Sequence, residues 1–91
     1  MNKRAQIIIN GRVQGVFFRD FTRENGIKLG LTGWVKNLSD DNVEAVVEGE
    51  EDRIAKLIEL LKKGPPAAQV KEVNVVWQKH ESEFDDFSIR W

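Results

Sequence analysis

The densest chemical signal in the chain is Gly11-Arg12-Val13-Gln14-Gly15-Val16-Phe17-Phe18-Arg19. It joins a short β-branched run to a segment that can start a helix. Backbone N–H groups at a helix start lack intrahelical partners, and with the helix dipole they favour an anion. Gly15 allows a positive φ or the close approach of a ligand. Arg19 brings a planar guanidinium that can hold two oxygens of a phosphate. By composition alone the plainer reading stays ahead. A Gly-x-x-x-Gly spacing between strand and helix is often a turn, and an Arg early in a helix is often a solvated surface residue.

The other reactive residue types read plainly. Asp40, Asp41, Glu44 and Glu48 suggest a divalent-metal cluster, but turn acids and a solvated strand face account for them better. His80 is the single histidine, so no His pair exists for a metal, and its neighbours Lys79, Glu81 and Glu83 mark it as exposed. Cysteine is absent, which removes disulfides, thiolate metal sites and a Cys nucleophile. Phe17 and Phe18 form either a substrate cage or core. Phe18 is assigned to the core and Phe17 fits either role. Trp34 and Trp77 are assigned to sheet-face packing.

Composition bounds what must position these residues. Ninety-one residues suit one domain spanning 1–91, and 41% hydrophobic with 32% charged residues suits a folded one. Lys+Arg number 14 against 15 Asp+Glu, a formal net charge of -1. That balance argues against nucleic acid or an anionic membrane as partner, since both select a basic excess. No run approaches the roughly 20 apolar residues of a membrane span. Lys3 and Arg4 are followed only by Ile7-Ile8-Ile9, too short for a signal peptide. A cytoplasmic protein is expected.

Alternation over residues 5–10 predicts a first strand with Ala5, Ile7 and Ile9 facing the core. Residues 11–15 are expected as a loop. A helix over 18–29, capped by Gly30, has Phe18, Phe21, Thr22 and Leu29 as its buried side. Residues 31–38 form a second strand, and Ser39-Asp40-Asp41-Asn42 a turn. Val43, Ala45 and Val47 alternate in a half-buried third strand. Over 50–63, Ile54, Leu57, Ile58 and Leu61 mark a helix with one apolar stripe. Gly64-Pro65-Pro66 stops it. Residues 70–78 form a fourth strand, with Val73, Val75 and Trp77 on one face, and Phe87, Ile89 and Trp91 alternate in a short last one.

The order β-α-β-β-α-β with an extra C-terminal strand is that of an α+β, ferredoxin-like sandwich. Its sheet is mostly antiparallel, with two helices on one face. Each crossover makes its two strands parallel, so the first two strands point the same way. Residues 11–19 and 37–42 are therefore expected at one end of the sheet.

Two strings in the chain now gain weight together. Ile9 to Arg19 resembles, without a gap, the first signature of the acylphosphatase family: an aliphatic residue, x, Gly, x, Val-Gln-Gly-Val, x, Phe or Met, Arg. Gly33-Trp34-Val35-Lys36-Asn37, with Val43 and Gly49 at the matching distances, resembles the second. Likeness extends to the ending Phe87-Ser88-Ile89-Arg90-Trp91. One signature position departs, with Asp41 where the family has Gly; Asp and Asn tolerate a left-handed turn, so the hairpin should still close. Gly26 stands where the family commonly has Ala, and reads as small-residue packing against the sheet.

The resemblance implies hydrolysis of acyl phosphates to a carboxylate and inorganic phosphate, with no metal and no organic cofactor. It implies that the amides of Gln14, Gly15, Val16, Phe17 and Phe18, with Arg19, hold phosphate, and that Asn37 orients the attacking water. Arg19 and Asn37 are the expected catalytic residues. Trp91 is a candidate to pack near that arginine. The expected partners are an acyl phosphate and inorganic phosphate, the latter as product and competitive ligand, with no nucleic acid or membrane; a monomer is expected. Two other readings remain: a binding module on the same fold, and the acylphosphatase-like module of larger carbamoyl-transferring maturation proteins.

Overall fold

The structure, a computed structural model, describes residues 1–90. Its elements are β1 (Asn2–Arg12), α1 (Phe18–Lys28), β2 (Thr32–Asn37), β3 (Val43–Glu50), α2 (Glu51–Lys63), β4 (Gln69–Lys79) and β5 (Phe87–Arg90). They form one sheet in the order β4-β1-β3-β2-β5. β3 runs antiparallel to both β1 and β2, β4 runs antiparallel to β1, and β5 lies parallel to β2. The architecture is the expected ferredoxin-like one, with β5 as the extra strand on the β2 edge. Trp91, the expected end of that strand and candidate neighbour of Arg19, lies outside the described residues.

The alternating side chains account for the layers. Ala5, Ile7, Ile9, Val35, Val43, Ala45 and Val47 are fully buried from one face of the sheet. They meet Ile54, Leu57 and Leu61 of α2 and Phe18 of α1 in a single core. Each Val, Ile, Leu or Phe among them contributes about 1.5–3 kcal/mol through burial. Acids at the start of α2 (Glu51, Asp52) and lysines at its end (Lys62, Lys63) complement the helix dipole.

Glycine in mid-helix has a packing cause. A Cβ on Gly26 would stand 2.4 Å from the Phe87 ring. Phe87 is itself 3% exposed, so α1 and β5 approach through the missing methyl. Arg23 adds a tie there, its Nε donating to the Phe87 carbonyl at 2.9 Å.

Several expectations are corrected. The first strand does not stop at residue 10. After an irregularity between Asn10 and Gly11 it pairs on, Gly11 with Val70 and Arg12 with Gln69. β4 starts early enough to supply those partners, so only residues 13–17 remain as loop. Glu48 does not belong to a solvated strand face; it is 1% exposed. β4 and β5 sit on opposite edges of the sheet, so residues 80–86 must cross between them. That strap lies on Glu48, which accepts N–H bonds from Glu81 (2.7 Å) and Glu83 (3.0 Å). Arg4 Nη1 lies 3.5 Å from the same carboxylate and also pairs with Glu83. His80, in the strap, is half-buried rather than exposed. Trp77 shares its face with Val75 yet remains 44% exposed, so its packing is partial. Trp34 lies on the sheet face away from the helices, with Arg90 over its ring at 4.7 Å and Lys36 at 5.2 Å.

Candidate active site

Three elements converge on one end of the sheet. β1 ends in the loop 13–17, α1 begins at Phe18, and β2 ends at Asn37. Loop shape follows from its alternation. Val13, Val16 and Phe18 are buried at 1%, 7% and 2% exposure, while Gly15 and Phe17 face outward. The apolar side chains anchor the loop to the core and leave its backbone at the surface.

Gly15 has φ +73°, and a Cβ there would meet nothing within 4 Å. Positive φ, rather than crowding, is therefore what calls for glycine in this structure. Phe17, the N-cap of α1, has φ 62° and ψ 28°, also left-handed. A bulky residue is uncommon in that region, and such conformations gather at functional loops. The Phe17 carbonyl accepts the Phe21 N–H at 3.0 Å, which fixes the entry to the helix.

A cavity of about 250 Å³ lies in the fold of this loop, lined by Val13, Gly15, Phe17, Phe18, Arg19, Asp20 and Asn37. Arg19 and Asn37, far apart in sequence, thus share one cavity. Phe18 reaches it from the core, and Phe17 stands at the rim with 79% exposure. Positive potential there comes from Arg19 and from the N-terminal N–H groups of α1. Asp20 was missed on sequence grounds. Its only signal was a place in the first turn of a helix, where acids are common for dipole reasons alone.

Gln14 has two parts to play. Its backbone belongs to the loop. Its side chain turns away, with Nε2 donating to the carbonyls of Leu38 and Asn42, each at 2.8 Å. The β2–β3 turn is closed by Leu38 N–H to Asn42 O at 2.8 Å and by Asn42 N–H to Asp40 Oδ1 at 3.2 Å. Asp41, at the departed signature position, adopts φ 73° and the hairpin closes, as expected. It lines a neighbouring recess with Gly11, Arg12, Val13 and Gln14, on the other flank of the loop. Among the described residues no cluster of acids and His suits a metal ion, and no helix is long and apolar enough to cross a membrane.

The groups with displaced pKa stand at the opposite end of the strands. Burial pushes the Glu48 carboxyl up, but the Glu81 and Glu83 N–H donors, with His80 and Arg4, outweigh it and hold the group low. Burial likewise lowers Arg4, and its carboxylate partners Glu83 and Glu48 reverse that.

A sequence model of the acylphosphatase family matches residues 5–89. An acylphosphatase from Pyrobaculum islandicum is 52% identical over 97% of this chain and 94% of its own. The structure of an acylphosphatase from Coxiella burnetii superposes with a TM-score of 0.93 at 45% identity, covering 98% of this chain and 93% of that one. One from Bacillus subtilis gives 0.94 at 37% identity, with both chains fully covered.

Proposed function

The chain belongs to the acylphosphatase family and is a hydrolase of acyl phosphates, and from this we propose how its own residues divide the work. The amides of Gln14 to Phe18 and the Arg19 guanidinium hold the phosphoryl group. Asn37 orients the attacking water. The observation that carries this reading is the common cavity of Arg19, Asn37 and the left-handed Gly15 turn.

The chemistry asks little more. Water oxygen attacks phosphorus in line, the bond from phosphorus to the acyl oxygen breaks, and the carboxylate departs with the electron pair. A carboxylate is a good leaving group and needs no general acid. Phosphoryl transfer through a loose transition state depends mainly on positioning and charge stabilisation. Amides and Arg19 stabilise charge on the equatorial oxygens. The Asn37 side-chain carbonyl accepts from water while its NH₂ donates elsewhere. The proton released by water passes to a phosphate oxygen, so no side-chain base is required.

Inorganic phosphate is the product and, on this reading, a competitive inhibitor. The chain acts as a single domain over 1–91, as a monomer, in the cytoplasm. Benzoyl phosphate hydrolysis with EDTA present is the test. Arg19→Ala and Asn37→Ala, folded, are each expected to lose about 10²–10³ in kcat, the scale of one positioned donor elsewhere. Near wild-type turnover in either variant would sink its assignment, and loss of wild-type turnover in EDTA would sink the metal-free route.

A further inference from the structure

We infer that Gln14 is a positioning residue that fixes the water-orienting end of the site relative to its phosphate-holding end. The inference rests on the assignment of Arg19 to phosphate and Asn37 to water.

The geometry leaves a gap that, among the described residues, a side chain spans. β1 and β2 are not neighbours; β3 lies between them. Val43, the first residue of β3, is the last point at which that strand joins the two, through its pairs with Ile9 and Asn37. Past Val43 the loop 13–17 and the turn 38–42 stand side by side with no strand between them. Gln14 closes this gap. It sits between Val13 and Gly15, both of which line the cavity, and its Nε2 reaches Leu38 O and Asn42 O at 2.8 Å each. Leu38 follows Asn37 directly, and Asn42 precedes Val43. The bonds therefore grip both shoulders of the hairpin that carries Asn37.

The residue type fits the task. Two carbonyl acceptors call for two donors on one atom, which a primary amide supplies without a charge. Glutamate would set oxygens against oxygens, and methionine would fill the space without donating. Activity in such a site is sensitive to small displacements, with about 1 Å worth on the order of 10²-fold. Phosphate held by loop amides and Arg19 does not depend on where the hairpin sits. Gln14 should thus act on kcat and spare phosphate affinity.

The test compares wild type, Gln14→Met and Gln14→Glu, with Asp40→Ala as a control that weakens the same turn while leaving Gln14 in place. Turnover of benzoyl phosphate, the inhibition constant of inorganic phosphate and Tm are measured for each. Expected are a fall of about tenfold or more in kcat for both Gln14 variants and a phosphate inhibition constant within about threefold of wild type, since only the hairpin contact is removed. Asp40→Ala should lose far less turnover at a similar Tm. A kcat loss matched by Asp40→Ala, a parallel loss of phosphate affinity, or failure of both Gln14 variants to fold would make Gln14 merely structural and overturn the proposal. Unchanged kcat in both would overturn it too. Arg19→Ala and Asn37→Ala run alongside. If they stay active, the site assignment itself fails; if they are inactive while the Gln14 variants match wild type, only the positioning role fails.

Discussion

Ile9 and Asn37 both stand opposite Val43, one on each side of β3. Two strand spacings, about 10 Å, therefore separate the strand that leads into the loop from the strand that presents the asparagine. Backbone pairing sets that separation as far as Val43; beyond it the Gln14 side chain ties the loop to the turn.

Arg19→Lys keeps the charge and removes the planar fork. If the guanidinium takes two phosphate oxygens, lysine at this position is not a conservative change. The kcat/KM for benzoyl phosphate should fall at least about tenfold, the worth of one charge-assisted hydrogen bond, and inhibition by phosphate should weaken with it. Steady-state kinetics at constant ionic strength decides the point. Equal performance by the lysine enzyme would mean that Arg19 contributes charge alone.

Asp41 lines the recess beside the proposed phosphate site. Asp41→Gly should lower KM by about twofold at low salt and by less in 0.5 M salt, because the repulsion is exposed and screened. The change should also raise stability by up to about 1 kcal/mol, since glycine adopts the observed φ of 73° without cost. A Michaelis constant unmoved at low salt would show that the turn carboxylate does not reach the substrate.

Glu48 couples the strap to pH. Its folded-state carboxyl titrates below the ordinary range, so its contribution is present above the unfolded value of about 4.3. That contribution is lost as pH falls from there through the lower folded value. Urea denaturation from pH 7 down to 2.5 should show stability declining below about pH 4.3. In Glu48→Gln that component of the decline should be absent. The same variant should lose about 1–3 kcal/mol at pH 7, because backbone donors of the strap lose a carboxylate oxygen. A pH profile identical to wild type would assign acid sensitivity to other groups.

Gly26→Ala sets two known effects against each other. Alanine gains about 1 kcal/mol in helix propensity. Its methyl meets the Phe87 ring at 2.4 Å in a buried contact, and overpacking costs about 1–3 kcal/mol. The contact should win, giving a net loss of about 1 kcal/mol by thermal or urea unfolding. Adding Phe87→Leu should recover part of the loss in the alanine background, while being destabilising alone. Stabilisation by Gly26→Ala would mean that the two elements separate more easily than their packing suggests.

Short-range patterns were enough for most of this architecture. Period-two alternation marks β1 and β3, the Ile54–Leu61 stripe marks α2, and the crossover rule brings Asn37 to the loop end. What escaped depends on pieces distant in the chain. Burial of Glu48 follows from a strap more than thirty residues later, and the extension of β1 to Arg12 from partners in β4. The opposite fates of Phe17 and Phe18 hang on one left-handed residue. Composition leaves Phe17 undecided because nothing in it specifies φ. The side-chain target of Gln14 was equally hidden, since a loop glutamine carries no record of which carbonyls it will meet. Gly26 was legible as a packing residue, and its partner Phe87 was not.

The sheet order also governs how the chain comes together as it is made. β1 is synthesised first, yet both of its edges are filled by strands that arrive later, β3 on one side and β4 on the other. A nascent chain that has emerged only as far as α1 carries Ile7-Ile8-Ile9 with neither neighbour in place. Such a segment is adhesive on two edges, the situation that favours pairing with another unfinished chain. Non-local pairing of this kind also slows collapse to the native state relative to a helical bundle of equal length. The strand that leads into the loop 13–17 is thus the one most in need of protection until residue 79 has been added.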